Sequence, residues 1–199
     1  MTYHGPKVRL SRQVGVPITP KAAKVMLTRP TPPGEHGRTT RRRTSQYGDQ
    51  LREKQKLRYQ YNIGERQLVN SFQEATRRSG NTGENLICAL ECRLDAIVLR
   101  SNFARTIYQA RQAVVHRHIR VNGRRVDRPS YRLKVGDVVD VAPGSREICM
   151  FTYSIDLTIV PPYLDVDATS FTATLLQMPV RDQIPVLADL AAVVEFYNR

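Results

Sequence analysis

Asn122-Gly123 stands between two short segments, Ile119-Arg120-Val121 and Arg124-Arg125-Val126. No other short signal in the chain restricts the backbone as much. Both residues tolerate the positive φ that a two-residue hairpin turn demands, and β-branched residues flank them. Side chains alternate along a strand, so Ile119 and Val121 point one way and Arg120 the other. Upstream, Thr106 with Gln109 three residues on is a capping-box pattern, which starts a helix near Thr106. On that helix Ile107, Ala110 and Val114 share one face, while Tyr108, Gln109, Gln112 and His116 lie on the opposite one. Leu133 and Val135, a Gly136-Asp137 turn, then Val139 and Val141 supply further strand-like alternation. Residues 93–141 therefore read as helices followed by a small sheet edged with arginine.

Charge locates the partner. The 199 residues carry a formal net charge of +13, which favours a polyanion. The excess is concentrated in residues 1–60 and 93–141, whereas residues 61–92 and 142–199 are slightly acidic. Most of the basic residues are arginine, whose guanidinium binds phosphate in bidentate fashion and stacks on bases. RNA is thus favoured over a membrane surface. There is no apolar run of about 18 residues for a transmembrane helix, and the first residues lack the apolar core of a signal peptide. The expectation is a cytoplasmic protein, with a chloroplast not excluded.

Residues 1–48 read as an extended basic arm. Pro6, Pro17, Pro20, Pro30, Pro32 and Pro33 leave room for no long helix, except at Lys21 to Leu27. So polar a segment orders against a partner, or else serves as a solubilising tail. Helical patterns follow at Gln50 to Tyr61, from Gly64 to about Ser79, and from Thr82 onward with a break near Arg93. Residues 148–160 alternate loosely like a strand, and Leu187 to Tyr197 forms an amphipathic helix.

Chemistry-bearing groups are sparse. Cys88, Cys92 and Cys149 are odd in number, and no neighbouring pair completes a four-ligand zinc site, so they read as small buried thiols. His4, His36, His116 and His118 form no grouping with a nucleophile and an oriented base. No phosphate loop is present. Arg93-Leu94-Asp95 superficially matches the catalytic motif of pseudouridine synthases. In those enzymes, however, the motif lies in a large domain after the RNA module, and too little chain follows Val141 for such a domain. Asp95 reads instead as a carboxylate at a helix N-terminus. No enzyme, cofactor, metal or small-molecule substrate is expected.

Several motifs carry a family resemblance. Arg93-Leu94-Asp95, Phe103-Ala104, Gln109-Ala110-Arg111-Gln112, His116, Val121-Asn122-Gly123, Pro129-Ser130-Tyr131 and Gly136-Asp137-Val138 resemble the S4 RNA-binding domain. Flanking segments extend the likeness to the ribosomal protein S4 family of the small subunit. They are Arg29-Pro30-Thr31-Pro32-Pro33-Gly34-Glu35-His36-Gly37, the helix Glu53-Lys54-Gln55-Lys56-Leu57-Arg58, and the closing Val194-Glu195-Phe196-Tyr197-Asn198-Arg199. Ile107 departs from the family, which usually has Arg there, and Tyr163 stands where Trp is common. The four cysteines through which many members bind zinc are missing.

The resemblance implies an α+β fold. A helical domain (49–92 and 160–199) would be built from both chain ends, with a small αβ RNA-binding domain (93–159) inserted, behind the arm of residues 1–48. It implies a structural protein that binds the 5′ domain of small-subunit rRNA early in assembly. It also implies contact with ribosomal protein five and a place near the mRNA entrance, bearing on translational accuracy. A regulator acting on another RNA, or on its own messenger, is the rival reading. Expected RNA contacts are Lys7, Arg9, Arg12, Arg38, Arg41, Arg42, Arg43, Lys54, Lys56, Arg58, Arg105, Arg111, Gln112, His116, His118, Arg120, Asn122, Arg124 and Arg132.

Overall fold

The computed structural model describes residues 3, 5–37, 39, 45–148, 151 and 159–199. Among these, eight α-helices and one five-stranded antiparallel sheet make the α+β fold that the sequence implied. The chain divides into two units, one of Met1–Gly83 with Val186–Arg199 and the other of Glu84–Pro185.

The first unit opens with α1 (Lys7–Val14) and α2 (Pro20–Thr28). Helix α1 corrects the extended arm for its residues, whereas α2 falls where the sequence left room for a helix, at Lys21 to Leu27. Proline is a breaker inside a helix but a favoured residue at its first position, where the missing N–H would be unpaired anyway. Pro6 immediately precedes α1, Pro20 is the first residue of α2, and the Thr19 hydroxyl accepts the Ala22 N–H at 3.2 Å. The motif after α2 is tied down by Arg12, which donates to the carbonyls of Thr31 (2.9 Å) and Pro32 (3.3 Å). Gly37 closes it, since a Cβ there would lie 2.1 Å from the Pro32 carbonyl oxygen.

Helix α3 (Gln46–Gln60) buries Gln50, Lys54 and Leu57 on one face, and α4 (Glu65–Arg77) buries Leu68, Phe72 and Ala75. The last helix, α8 (Leu190–Tyr197), is capped by Asp189 and packs against α3. Polar groups fix this docking as much as apolar ones. Gln50 donates to Glu195 at 2.7 Å, the Lys54 ammonium lies 4.6 Å from the Phe196 ring centroid, and Phe72 stacks on Tyr197 at 4.8 Å. Lys54 (2.7 Å) and the Tyr197 hydroxyl (2.9 Å) both donate to one oxygen of Glu65.

Burial, the largest single influence, pushes the Glu65 carboxyl up. The hydrogen bonds from Lys54 and Tyr197, with the charges of Lys54 and Arg58, together carry it below its ordinary value of 4.5. Because the folded value is depressed, the stability Glu65 contributes is fully present above pH 4.5 and is lost as pH falls through the folded value. Glu65→Gln should therefore be less stable than the parent at neutral pH, and the gap should close on acidification. Urea unfolding at stepped pH checks this, and a gap that widens toward acid would contradict it.

The second unit contains α5 beyond Gly83 (the helix spans Thr82–Glu91), then α6 (Leu94–Arg100) and α7 (Ile107–Val115). Its strands are β1 (Ile119–Val121), β2 (Arg124–Arg125), β3 (Val138–Val141), β4 (Leu164–Asp167) and β5 (Thr172–Leu175), in the order β2-β1-β3-β5-β4. Ile119, Val121, Val139, Val141, Ala173 and Leu175 are buried, as are Leu94, Ile97, Ile107, Ala110 and Val114 of the helices. Each large apolar side chain so buried stabilises the unit by roughly 1.5–3 kcal/mol before conformational entropy is counted.

Two sequence expectations are corrected here. Residues 160–185, assigned to the helical domain, lie in the second unit, because β5 pairs with β3 through Val139↔Ala173 and Asp140↔Thr172. Leu133 to Val135 is no strand. Beyond the isolated bridge Arg93↔Arg132 the chain turns, and Asp137 accepts the Lys134 N–H at 2.8 Å. Of the strand expected over 148–160, residues 149–150 and 152–158 lie outside the described residues.

Candidate nucleic-acid interface

Helix α7 begins as its capping signal requires. The Thr106 hydroxyl accepts the Gln109 N–H at 3.2 Å. The Gln109 amide oxygen reaches back to the Arg105 N–H at 2.8 Å, one residue earlier than in a reciprocal box. Ile107, Ala110, Ala113 and Val114 are buried, which leaves Arg105, Gln112, Val115 and His116 exposed.

The hairpin follows at once. Asn122 (φ 48°) and Gly123 (φ 76°) both lie in the left-handed region, and the register pairs Val121 with Arg124 and Arg120 with Arg125. Asn122 also anchors the turn to β3. Its side-chain oxygen accepts the Val138 N–H at 2.9 Å, and its amide donates to Asp137 at 2.8 Å. Asn122→Ala loses both bonds and places a Cβ residue without local compensation at positive φ, for an expected cost of about 2 kcal/mol. Asn122→Gly keeps the turn and should recover part of that loss. Denaturant midpoints of the two variants test the assignment.

The expected RNA contacts separate by what each cation already touches. Lys54 is removed from the surface. Its side chain is 7% exposed and is held by Glu65 and the ring of Phe196, so it is corrected to a docking residue for α8. Arg12 is occupied with the Thr31 and Pro32 carbonyls, Lys56 pairs with Glu53 at 2.5 Å, and Arg58 bonds the Ile63 carbonyl and the Gln55 side chain, both at 3.3 Å. Lys7 lies over the Tyr3 ring at 4.9 Å, and Arg9 is exposed. Arg120 crosses to Asp140 on the neighbouring strand, through Nε at 2.8 Å. Arg105, Gln112, His116, Asn122, Arg124 and Arg132 are exposed. Arg38, Arg41, Arg42 and Arg43 lie outside the described residues.

Arg111 takes an unexpected part. Asp95 is fully buried and receives Arg93 on both oxygens, at 3.0 and 2.7 Å, while Arg111 Nη1 approaches it at 3.6 Å. Burial holds the Asp95 carboxyl above its ordinary value, and the guanidiniums of Arg93 and Arg111 offset only part of that rise. The two-pronged geometry is that of the carboxylate. Asp95 also accepts the Ala96 N–H at 3.1 Å, so it serves the α6 N-terminus as its position in sequence suggested. Arg111 is thereby half-buried as a structural cation, and burial lowers its pKa.

His118 is half-buried, with Nδ1 2.9 Å from the Ser145 hydroxyl and its ring edge-on to Phe151. Burial and the neighbouring His116 and Arg125 disfavour its protonated form. The ring is thus a polar contact at ordinary pH, and the positive charge nearby belongs to Arg125. Sequence reasoning passed over Arg125, Arg128 and Tyr131, which are exposed on the same unit. The hairpin alternation offered a signal at Arg125, and the Pro129-Ser130-Tyr131 motif offered one at Tyr131. Cys92 is buried, with its thiol pushed up by a hydrogen bond to Cys88 and by burial. Cys149 lies outside the described residues.

Exposed guanidiniums on a rigid hairpin and loop, beside amide and imidazole donors, can neutralise phosphates and hydrogen-bond bases. Comparison with known proteins points the same way. Residues 2–91 match the family described as ribosomal protein S4/S9 N-terminal domain, and residues 92–139 match the S4 domain. The chain is 53% identical over 199 residues to the small ribosomal subunit protein uS4 of Beutenbergia cavernae, covering 97% of this chain and 96% of that one. It is 51% identical over 197 residues to the protein of the same name from Clavibacter sepedonicus, covering 96% and 94%. The counterpart in Paenarthrobacter aurescens is 51% identical over 195 residues, covering 96% and 95%.

Proposed function

The chain belongs to the ribosomal protein S4 family, and from that premise we propose that it is a structural component of the small ribosomal subunit, not an enzyme, that binds the subunit's RNA. The observation that carries this reading is full-length similarity. The S4 domain alone recurs in other RNA-handling proteins, whereas here the relatives match about 97% of the chain, including the helical unit on both sides of the module.

The mechanism follows from charge and shape. Exposed Arg105, Arg124 and Arg132, with Arg125 and Arg128, neutralise phosphates and supply most of the affinity, while the pinned hairpin and α7 select RNA geometry. Arg9 and the basic residues of the N-terminal segment extend the contact along the RNA. The family resemblance supports the finer reading, in which the protein joins the 5′ domain early in assembly. The same resemblance supports contact with ribosomal protein five and a place near the mRNA entrance.

Sucrose-gradient sedimentation of lysate at low and high salt tests the proposal. The protein is expected to remain stoichiometric with small subunits at high salt. If it runs free or washes off, the module serves another RNA and the regulatory reading replaces this one.

A further inference from the structure

Three tyrosines of the described residues expose more than a third of their surface, and two of them are already covered. Tyr3 lies beneath Lys7, and Tyr47 packs against Phe196 at 5.6 Å and Arg199 at 5.7 Å. Tyr131 differs. It is 41% exposed, and among the described residues its ring meets no other ring or cation and its hydroxyl has no hydrogen-bond partner.

The backbone beneath it is unusually well fixed for a loop. The Tyr131 carbonyl accepts the Leu94 N–H at 2.8 Å, and its own N–H donates to the Arg128 carbonyl at 2.9 Å. On either side, the Pro129 carbonyl accepts the Asp95 N–H (3.2 Å) and the Cys92 carbonyl accepts the Leu133 N–H (2.8 Å). The anchor is the junction that Asp95 and Arg93 lock, with Arg111 of α7 on the same carboxylate. Exposed Arg128 and Arg132 flank the ring in sequence.

We propose that Tyr131 is a stacking platform for one unpaired base of the bound RNA. Sequence-specific RNA recognition targets splayed bases, which stack on aromatic faces beside guanidiniums. A platform works best when its ring is held out before binding, because little conformational entropy is then lost. An aromatic on a loop fixed by four backbone hydrogen bonds meets that condition. This inference rests on the RNA-binding reading above and adds a base contact to its phosphate contacts.

The test is equilibrium binding of full-length protein to transcribed small-subunit RNA, for the parent, Tyr131→Phe, Tyr131→Leu and Tyr131→Ala. Phe should bind within about twofold of the parent, and Ala should lose about tenfold or more. Leu should fall near Ala, since its bulk lacks a π face. The slope of log affinity against log salt should not change, because no charge is removed. The thermal midpoint should also hold, because the ring is exposed. Parent-like binding by Ala or Leu overturns the stacking role and leaves the RNA-binding reading intact. A parent that fails to bind this RNA overturns both.

Discussion

Replacing Asp95 with alanine is expected to destabilise the second unit by about 3–5 kcal/mol, the range for leaving a buried charge without its partner. The Arg93 side chain is 7% exposed, so removing the carboxylate strands a guanidinium in the interior, with Arg111 behind it. The α6 N-terminus loses its acceptor for Ala96 at the same time. A second variant separates stranded charge from lost packing. Arg93→Met, Asp95→Leu and Arg111→Met together remove the whole cluster at similar volume, and should recover much of the loss, since buried ion clusters often exchange for apolar groups at little cost. Guanidinium chloride unfolding followed by circular dichroism reads both. A single variant within about 1 kcal/mol of the parent would sink this account, and so would a triple variant no better than the single one.

Arg93-Leu94-Asp95 also shows how far the sequence could be read. Its helix break and its N-terminal carboxylate were legible, because caps are local chemistry, and Thr106 and Asn122-Gly123 were legible for the same reason. The two-arginine grip on Asp95 was not, because Arg111 reaches it only once α7 packs beside α6. Lys54 was read as an RNA contact from its basic neighbours, and what buries it is an aromatic pair about 140 residues later in the chain. The strands at 164–167 and 172–175 were missed because each is short, and their place in the sheet depends on pairing with β3. Helix α1, between Pro6 and Pro17, was missed because proline was weighed as a breaker and not as a residue that can stand at a helix start. In each miss a non-local partner, or an end position, decided what composition alone could not.

The same division between occupied and exposed cations predicts a large effect on binding. Arg124, Arg125 and Arg128 are exposed, and no ion pair occupies them among the described residues. Substituting all three with alanine should leave folding stability within about 0.5 kcal/mol. RNA affinity should fall on the order of a hundredfold to a thousandfold, as three charge-assisted phosphate contacts disappear. Each lost contact also removes a released counterion, so the slope of log affinity against log salt should become shallower by about two to three. Lys54→Met is the counterpart. It removes one cation that faces Glu65 and Phe196 instead of solvent, so it should lower stability and leave the salt slope unchanged. Filter binding to transcribed small-subunit RNA across a salt series distinguishes the two. If the triple variant is folded and keeps the parent's slope, phosphate neutralisation does not run through the hairpin. If Lys54→Met flattens the slope, the helical unit grips RNA along α3 after all, and its inward-facing lysine turns outward when RNA binds.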